Sequence, residues 1–193
     1  MSAADKDFLE QRIDWNMANP NLYAACAILA AKGVPIGIED IADATASKYN
    51  KIVHLESGTL KEIMNSLIKQ EPNFAWEVQD GVVNVYPVRA RDGILQAFLE
   101  TRFKSFSAKK ETGRKQIAET IYRAGEINAF LNSRKIKLTV FNRNDLYVAD
   151  AIEDLNVSDT NLRNLLNRIV KDRSDSNQWL IQRTESGGIF LAF

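Results

Sequence analysis

The chain is poor in the residues that carry most protein chemistry: one cysteine, one histidine and four prolines in 193 residues, with 25 Lys+Arg balancing 25 Asp+Glu. A lone cysteine excludes an intramolecular disulfide framework and any multi-cysteine zinc or iron–sulfur site. A lone histidine excludes multi-histidine metal centres and leaves little room for imidazole catalysis. No run reaches the ~20 apolar residues that span a bilayer. The most apolar stretch, Leu22 to Ala31, follows Asp5, Asp7, Glu10 and Asp14, where a signal peptide needs positive charge. Ala24 and Ala25 precede Cys26 as in a lipidation signal, but the apolar run continues past the cysteine and Tyr23 stands where such a signal has leucine. Cys26 therefore reads as the buried face of a helix. Ser186-Gly187-Gly188 lacks the lysine and helix of a phosphate-binding loop. No catalytic, cofactor-binding or metal-ligating residue is identified.

What remains is a globular composition, 45% hydrophobic with nine phenylalanines, enough for one large domain or two small ones. An internal repeat organises it. Leu60, Ile63, Met64, Leu67 and Ile68 form an apolar helical stripe; Leu162, Leu165, Leu166, Ile169 and Val170 repeat it at the same spacings, 102 residues on. An extended segment precedes each helix, Lys51 to Leu55 and Ile152 to Val157. Thr59 with Glu62 makes a capping box for the first, and Asp159 or Thr160 is expected to cap the second. A break follows each, then a tryptophan (Trp76, Trp179) in a two-stranded hairpin: Ala75 to Gln79 with Val82 to Val88, and Gln178 to Arg183 with Ile189 to Phe193. The tryptophans are 103 residues apart, so a single insertion predicts equivalent strand positions.

An earlier helix is expected in each half. The first is capped by Asn19-Pro20 and ended by Gly33; the second lies within Thr112 to Ser133, with Gly125 as its end or bend. Short strands follow, Val34 to Ile38 and Ile136 to Phe141. Arg12 to Met17 and Arg102 to Phe106 read as leading strands, although the former could extend a helix from Asp5. The expected fold is α+β: two tandem β-α-β-β-α-β-β units, residues 1–89 and 90–193, each with its helices on a small mixed sheet.

The first unit resembles the short N-terminal domain shared by secretins and TonB-dependent receptors. The likeness runs from Asn19 to Val88, through Leu22 to Ala30, Val34 to Ile38, Leu55 to Met64 and Trp76 to Val85; the second unit joins it only through Leu162 to Val170 and its hairpin. The resemblance implies an adaptor that makes protein–protein contacts in the bacterial envelope. That means a periplasmic or exported location, with any leader lying upstream of this chain, and no enzymatic activity, cofactor or metal. A cytoplasmic location stays open. The chain departs from the family in carrying two units with no barrel or secretin ring.

Other residues invite chemistry weakly. His54 sits two residues from Glu56 on one side of a strand, without further ligands. Glu56 with Glu77 is the best carboxylate pair, and nothing in their spacing brings them together. Asn156-Val157-Ser158 fits a glycosylation sequon at a strand end. Charge is more informative. Residues 1–88 hold 7 basic and 12 acidic side chains (net −5), and residues 89–193 hold 18 and 13 (net +5). Opposite signs could steer the halves together, or steer a second copy in self-association. The basic excess centres on Arg89 to Lys115, interleaved with Phe98, Phe103 and Phe106, the composition of a single-strand nucleic-acid groove. The expected partner is another envelope protein; nucleic acid is the alternative.

Overall fold

The computed structural model describes residues 3–16, 20–41, 52–88, 93–109, 112, 114–141, 154–171 and 177–192. Met17, Asn19, Lys51, Ile152, Phe193, most of the seam after Pro87 and most of the break from Ser174 lie outside them. The chain is α+β.

The first half runs α1 (Ala3–Glu10), β1 (Arg12–Ile13), α2 (Leu22–Ala31), β2 (Ile36–Ile41), β3 (Gly58–Thr59), α3 (Leu60–Gln70), β4 (Phe74–Gln79) and β5 (Val82–Pro87). The second runs α4 (Gly93–Leu99), β6 (Arg102–Ala108), α5 (Arg114–Arg123), α6 (Gly125–Arg134), β7 (Leu138–Phe141), β8 (Leu155–Asn161), α7 (Leu162–Lys171), β9 (Gln178–Arg183) and β10 (Ile189–Ala192). Each half thus opens with a short helix; the first meets the alternative of a helix from Asp5, and the second is not announced by the sequence pattern. Residues 3–10 are helical but the helix ends at Glu10, and of the described part of Arg12 to Met17 only Arg12–Ile13 is strand, so that stretch neither extends the helix nor forms the full strand expected. The helix expected within Thr112 to Ser133 is two, meeting at Ala124; α5 is the element without a counterpart in the first half.

Local chemistry fixes the helix ends. Thr59 Oγ1 accepts from Glu62 N while a Glu62 carboxylate oxygen accepts from Thr59 N, the expected capping box. Those bonds from Thr59 hold the Glu62 carboxyl below its ordinary range. The other two expected caps are displaced. Asn21, not Asn19, caps α2, its Oδ1 accepting from Ala24 N at 2.9 Å. Asn161, not Asp159 or Thr160, caps α7, its Oδ1 accepting from Asn164 N at 2.9 Å; Asp159 instead takes a left-handed φ of 48° within β8. Helices α2 and α6 end alike. Gly33 (φ 88°) and Lys135 (φ 53°) turn left-handed, and Val34 N and Ile136 N donate back to Leu29 O and Leu131 O.

Elsewhere the halves share their strand pairings and several individual bonds. A two-stranded ribbon, β1 with β3 or β6 with β8, pairs the leading strand with the strand before the long helix. In each, the first residue of that helix donates back across it, Leu60 N to Gln11 O and Leu162 N to Thr101 O. Beside it, β5 lies between antiparallel β4 and parallel β2, as β10 lies between antiparallel β9 and parallel β7. Val83 N donates to Pro35 O as Ile189 N donates to Lys137 O.

Two expectations need correction. The units do not have separate sheets. Strand β2 pairs in parallel with β9, giving one six-stranded sheet in the order β4-β5-β2-β9-β10-β7. The tryptophans are not equivalent either. Trp76 lies opposite Val85, and Ile181 lies opposite Leu191, the residue that matches Val85; Trp179, two residues earlier, therefore stands where Phe74 stands. The connection before β9 is longer than its counterpart by more than the one residue assumed. Each indole still reaches an asparagine 102 residues from the other: Trp76 Nε1 donates to Asn65 Oδ1 at 3.3 Å and Trp179 Nε1 to Asn167 Oδ1 at 2.8 Å.

The halves follow each other along the sheet in the same strand order but with every strand reversed. Only a half-turn about an axis crossing the strands, with a shift of three strands (~14 Å at ordinary spacing), does this. The half-turn puts the helices of the halves on opposite faces. On β5, Val83 and Val85 join the core of the first half while Val82 joins that of the second; on β2, Ile36 and Ile38 face the first core. Leu60, Leu67, Leu162 and Ile169 are all inaccessible, at 0–1% exposure. Leu67→Ala or Leu162→Ala is expected to cost about 2–5 kcal/mol in urea unfolding, as a cavity-forming change; a loss under about 1 kcal/mol would mean that the stripes are not core.

Candidate functional site

The structure disperses the residues that invited chemistry. Cys26 is fully buried in the first core, and burial pushes its thiol up to about 12, far from a reactive thiolate. His54 and Glu56 are exposed ahead of β3, and Glu77 is exposed on β4. His54 meets Gln70 through its backbone alone, its N donating to Gln70 Oε1 and its O accepting from Gln70 Nε2, both at 2.8 Å. The sequon at Asn156 lies inside β8. Among the described residues no group of three or more His, Cys, Asp or Glu could hold a metal ion, and no helix is long and apolar enough to cross a membrane.

The basic stretch separates into two faces. Phe98, Phe103 and Phe106 are buried in the second core; Phe98 meets Phe130 at 5.3 Å between centroids and Phe103 meets Phe106 edge-on at 6.0 Å. Arg102, Lys104 and Lys109 are exposed on the ribbon, with Lys109 Nζ 3.1 Å from Asp154 Oδ2. These three basic residues and the aromatics therefore do not share a surface, and no stacking platform for bases is formed by these three rings.

Two features stand out instead. The first is a charged cluster where the halves join. Arg163, near the start of α7, is bonded through Nη1 to Glu39 Oε1 of β2; the side chains are 7% and 1% exposed. Gln96 Nε2 of α4 donates to Glu39 Oε2 at 2.6 Å, and Glu100 Oε1 lies 3.8 Å from Arg163 Nε. One residue further along β2, Asp40 Oδ2 accepts from Gln182 Nε2 of β9 at 2.5 Å, also across the junction. Both oxygens of Glu39 are engaged, so this carboxylate is placed to hold the halves together rather than to move a proton. Periodicity gives no hint of the cluster. Arg163 and Asn167 fall on the polar side of the α7 stripe, which ordinarily faces water, and are buried because α7 lies across β2.

The second is the pair of open edges. Among the described residues, no strand pairs with the outer side of β4 or of β7. Side chains there are incompletely covered where their counterparts at the junction are sealed. Leu138 and Val140 on β7 are half-buried, while Ile36 and Ile38, 102 residues earlier, are at 0% exposure. Trp76 on β4 is half-buried, while Ile181 in its place on β9 is at 0%. On the helices above, Lys61 and Asn65 of α3 are exposed where Arg163 and Asn167 of α7 are buried. An open edge offers a row of backbone donors and acceptors to another strand.

Comparison of the chain with protein families, with curated proteins and with solved structures finds no match.

Arg163→Met alone is expected to destabilise by about 3–5 kcal/mol, because Glu39 is left buried without its partner. The double variant Glu39→Leu/Arg163→Met should recover most of that loss. Equal losses in both, measured by chemical denaturation, would show that packing and not charge governs the junction.

Proposed function

We propose that the chain is a non-enzymatic protein–protein interaction module, an adaptor of the bacterial cell envelope. Its two units are of the kind found at the N-termini of secretins and TonB-dependent receptors. The observation that carries this reading is the pair of strand edges, β4 and β7, left unpaired among the described residues at the two ends of one sheet. Strand addition to such an edge is a general mode of peptide and protein recognition, with backbone bonds giving affinity and alternate side chains giving selectivity. The repeated order of elements and the matching bonds across both ribbons support two units descended from one. The periplasmic or exported location follows from the resemblance of residues 19–88.

The groups that could suggest other roles are engaged internally: Cys26 in the core, Glu39 with Arg163 and Gln96, and the three phenylalanines of the basic stretch beneath their ribbon. Two measurements test the reading. A fluorescent single-stranded oligonucleotide is expected to show no saturable binding below about 100 µM at physiological salt, the weak end of non-specific affinity. A photo-cross-linking residue at Thr139 is expected to trap a discrete protein adduct in cells, and one at Glu119, on the exposed face of α5, to trap none. Micromolar, steeply salt-dependent oligonucleotide binding without an edge adduct would replace this reading with the nucleic-acid one.

A further inference from the structure

We propose that the partner at the open edges is a second copy of this chain. Strand β4 of one copy adds in parallel to β7 of the next, so that copies join head to tail through the pairing that joins β2 to β9 within each chain. The proposal rests on the protein-interaction reading above and names its partner.

The geometry follows from the half-turn and shift relating the halves. That operation carries β2 onto β7 and β4 onto β9. Applied once more, it places another β4 beside β7 in the orientation that β9 has beside β2. The register transposes with it. Gly37 opposite Trp179 becomes Thr139 opposite Phe74, and Ile38 opposite Leu180 becomes Val140 opposite Ala75. On β7 the backbone is ready for this; on β4, Phe74 N donates to Glu71 O at 3.0 Å and would exchange that bond on pairing. Ile189 N donates to Lys137 O, so alternation along a parallel ladder turns the backbone groups of Leu138 and Val140 to the open side. At the inner junction, Ile36 does the same, its N donating to Asn177 O at 2.6 Å.

The side chains are also complementary. At the inner junction the Trp179 ring lies on Gly37, so closely that a Cβ there would fall 2.2 Å from the ring. At the open edge a larger residue, Thr139, meets a smaller ring, Phe74, so the paired volumes are traded rather than lost. The residues left half-buried at the edges, Leu138, Val140 and Trp76, are those whose counterparts the inner junction seals. Strand β7 carries neither charge nor proline, and β4 a single charge, Glu77; natural edges that must stay unpaired ordinarily carry more. The net charges of −5 and +5 place the acidic half of one copy against the basic half of the next. Because the operation includes a shift, the contact does not close, and association continues into chains of copies.

The test uses the full chain in sedimentation equilibrium from about 1 to 500 µM, the range in which an edge contact of modest area associates, with two variants. Val140→Pro removes an outward N–H from β7 and spares its bonds to β10. Ala75→Asp leaves the isolated chain a half-exposed charge but would bury it in the contact. Far-UV circular dichroism checks that both fold; Thr139→Trp, at an exposed position, replaces Val140→Pro if that variant does not. We expect the average mass of the unmodified chain to rise with concentration past that of a dimer. Each variant alone should stay monomeric, and an equimolar mixture of the two should form a one-to-one dimer, since each keeps the edge that the other lacks. A monomer across the whole range, a closed dimer unaffected by either variant, or a mixture that stays monomeric would each overturn the proposal. An edge adduct in cells with a different protein would still uphold the adaptor reading, so the two can fail separately.

Discussion

The structure depends on one strand pairing, β2 against β9. Six residue pairs from Ile36–Gln178 to Ile41–Arg183 join what would otherwise be two three-stranded sheets. Each half alone would have a further edge strand, and strand edges are where proteins meet unwanted partners. Joining them hides two edges of the four and leaves β4 and β7 at the ends.

The pairing explains side chains that look misplaced. Gly37 has no turn to make; it sits mid-strand because the Trp179 ring occupies the space that a side chain would need. Glu39 and Arg163 are an ion pair nearly without solvent, a costly arrangement unless every remaining bond is made. Gln96 completes it on one side and Glu100 approaches on the other. The same helix explains the asymmetry between the matching stripes. In α3 the buried residues are Leu60, Ile63, Met64 and Leu67, a single face. In α7 they include Arg163 and Asn167, because a second surface, the neighbouring half, lies against it.

Much of this order was legible in the sequence, and the reasons it stopped being so are physical. Helix stripes and the Thr59–Glu62 box are local, written in spacing and capping chemistry, and they stand where periodicity puts them. Caps chosen from residue type alone missed by one or two positions at Asn21 and Asn161, because several capping residues cluster at each site. The tryptophan alignment failed because large aromatics are interchangeable as core fillers: Phe74 and Trp179 do the same work two residues from Trp76. Phe98 faces inward from α4, and Phe103 and Phe106, three apart, reach the same core across a break in the ladder at Lys104 and Asp159, where Asp159 takes a left-handed φ. The junction cluster left no local trace, since an arginine on the polar side of an amphipathic helix looks the same whether water or another strand faces it.

The functional account has the same root. If the halves share a sheet through an open, shifted pairing, the ends of that sheet are its interaction surfaces. Native-state hydrogen exchange on the full chain tests this most directly. The account predicts that amides of Ile36, Ile38 and Trp179 exchange only through global unfolding, with the same opening free energy as the core of α3 and α7. Fast exchange at those three amides, while each half keeps its own core protected, would contradict it: the halves would then be two separate domains, and the shared sheet would not exist in solution.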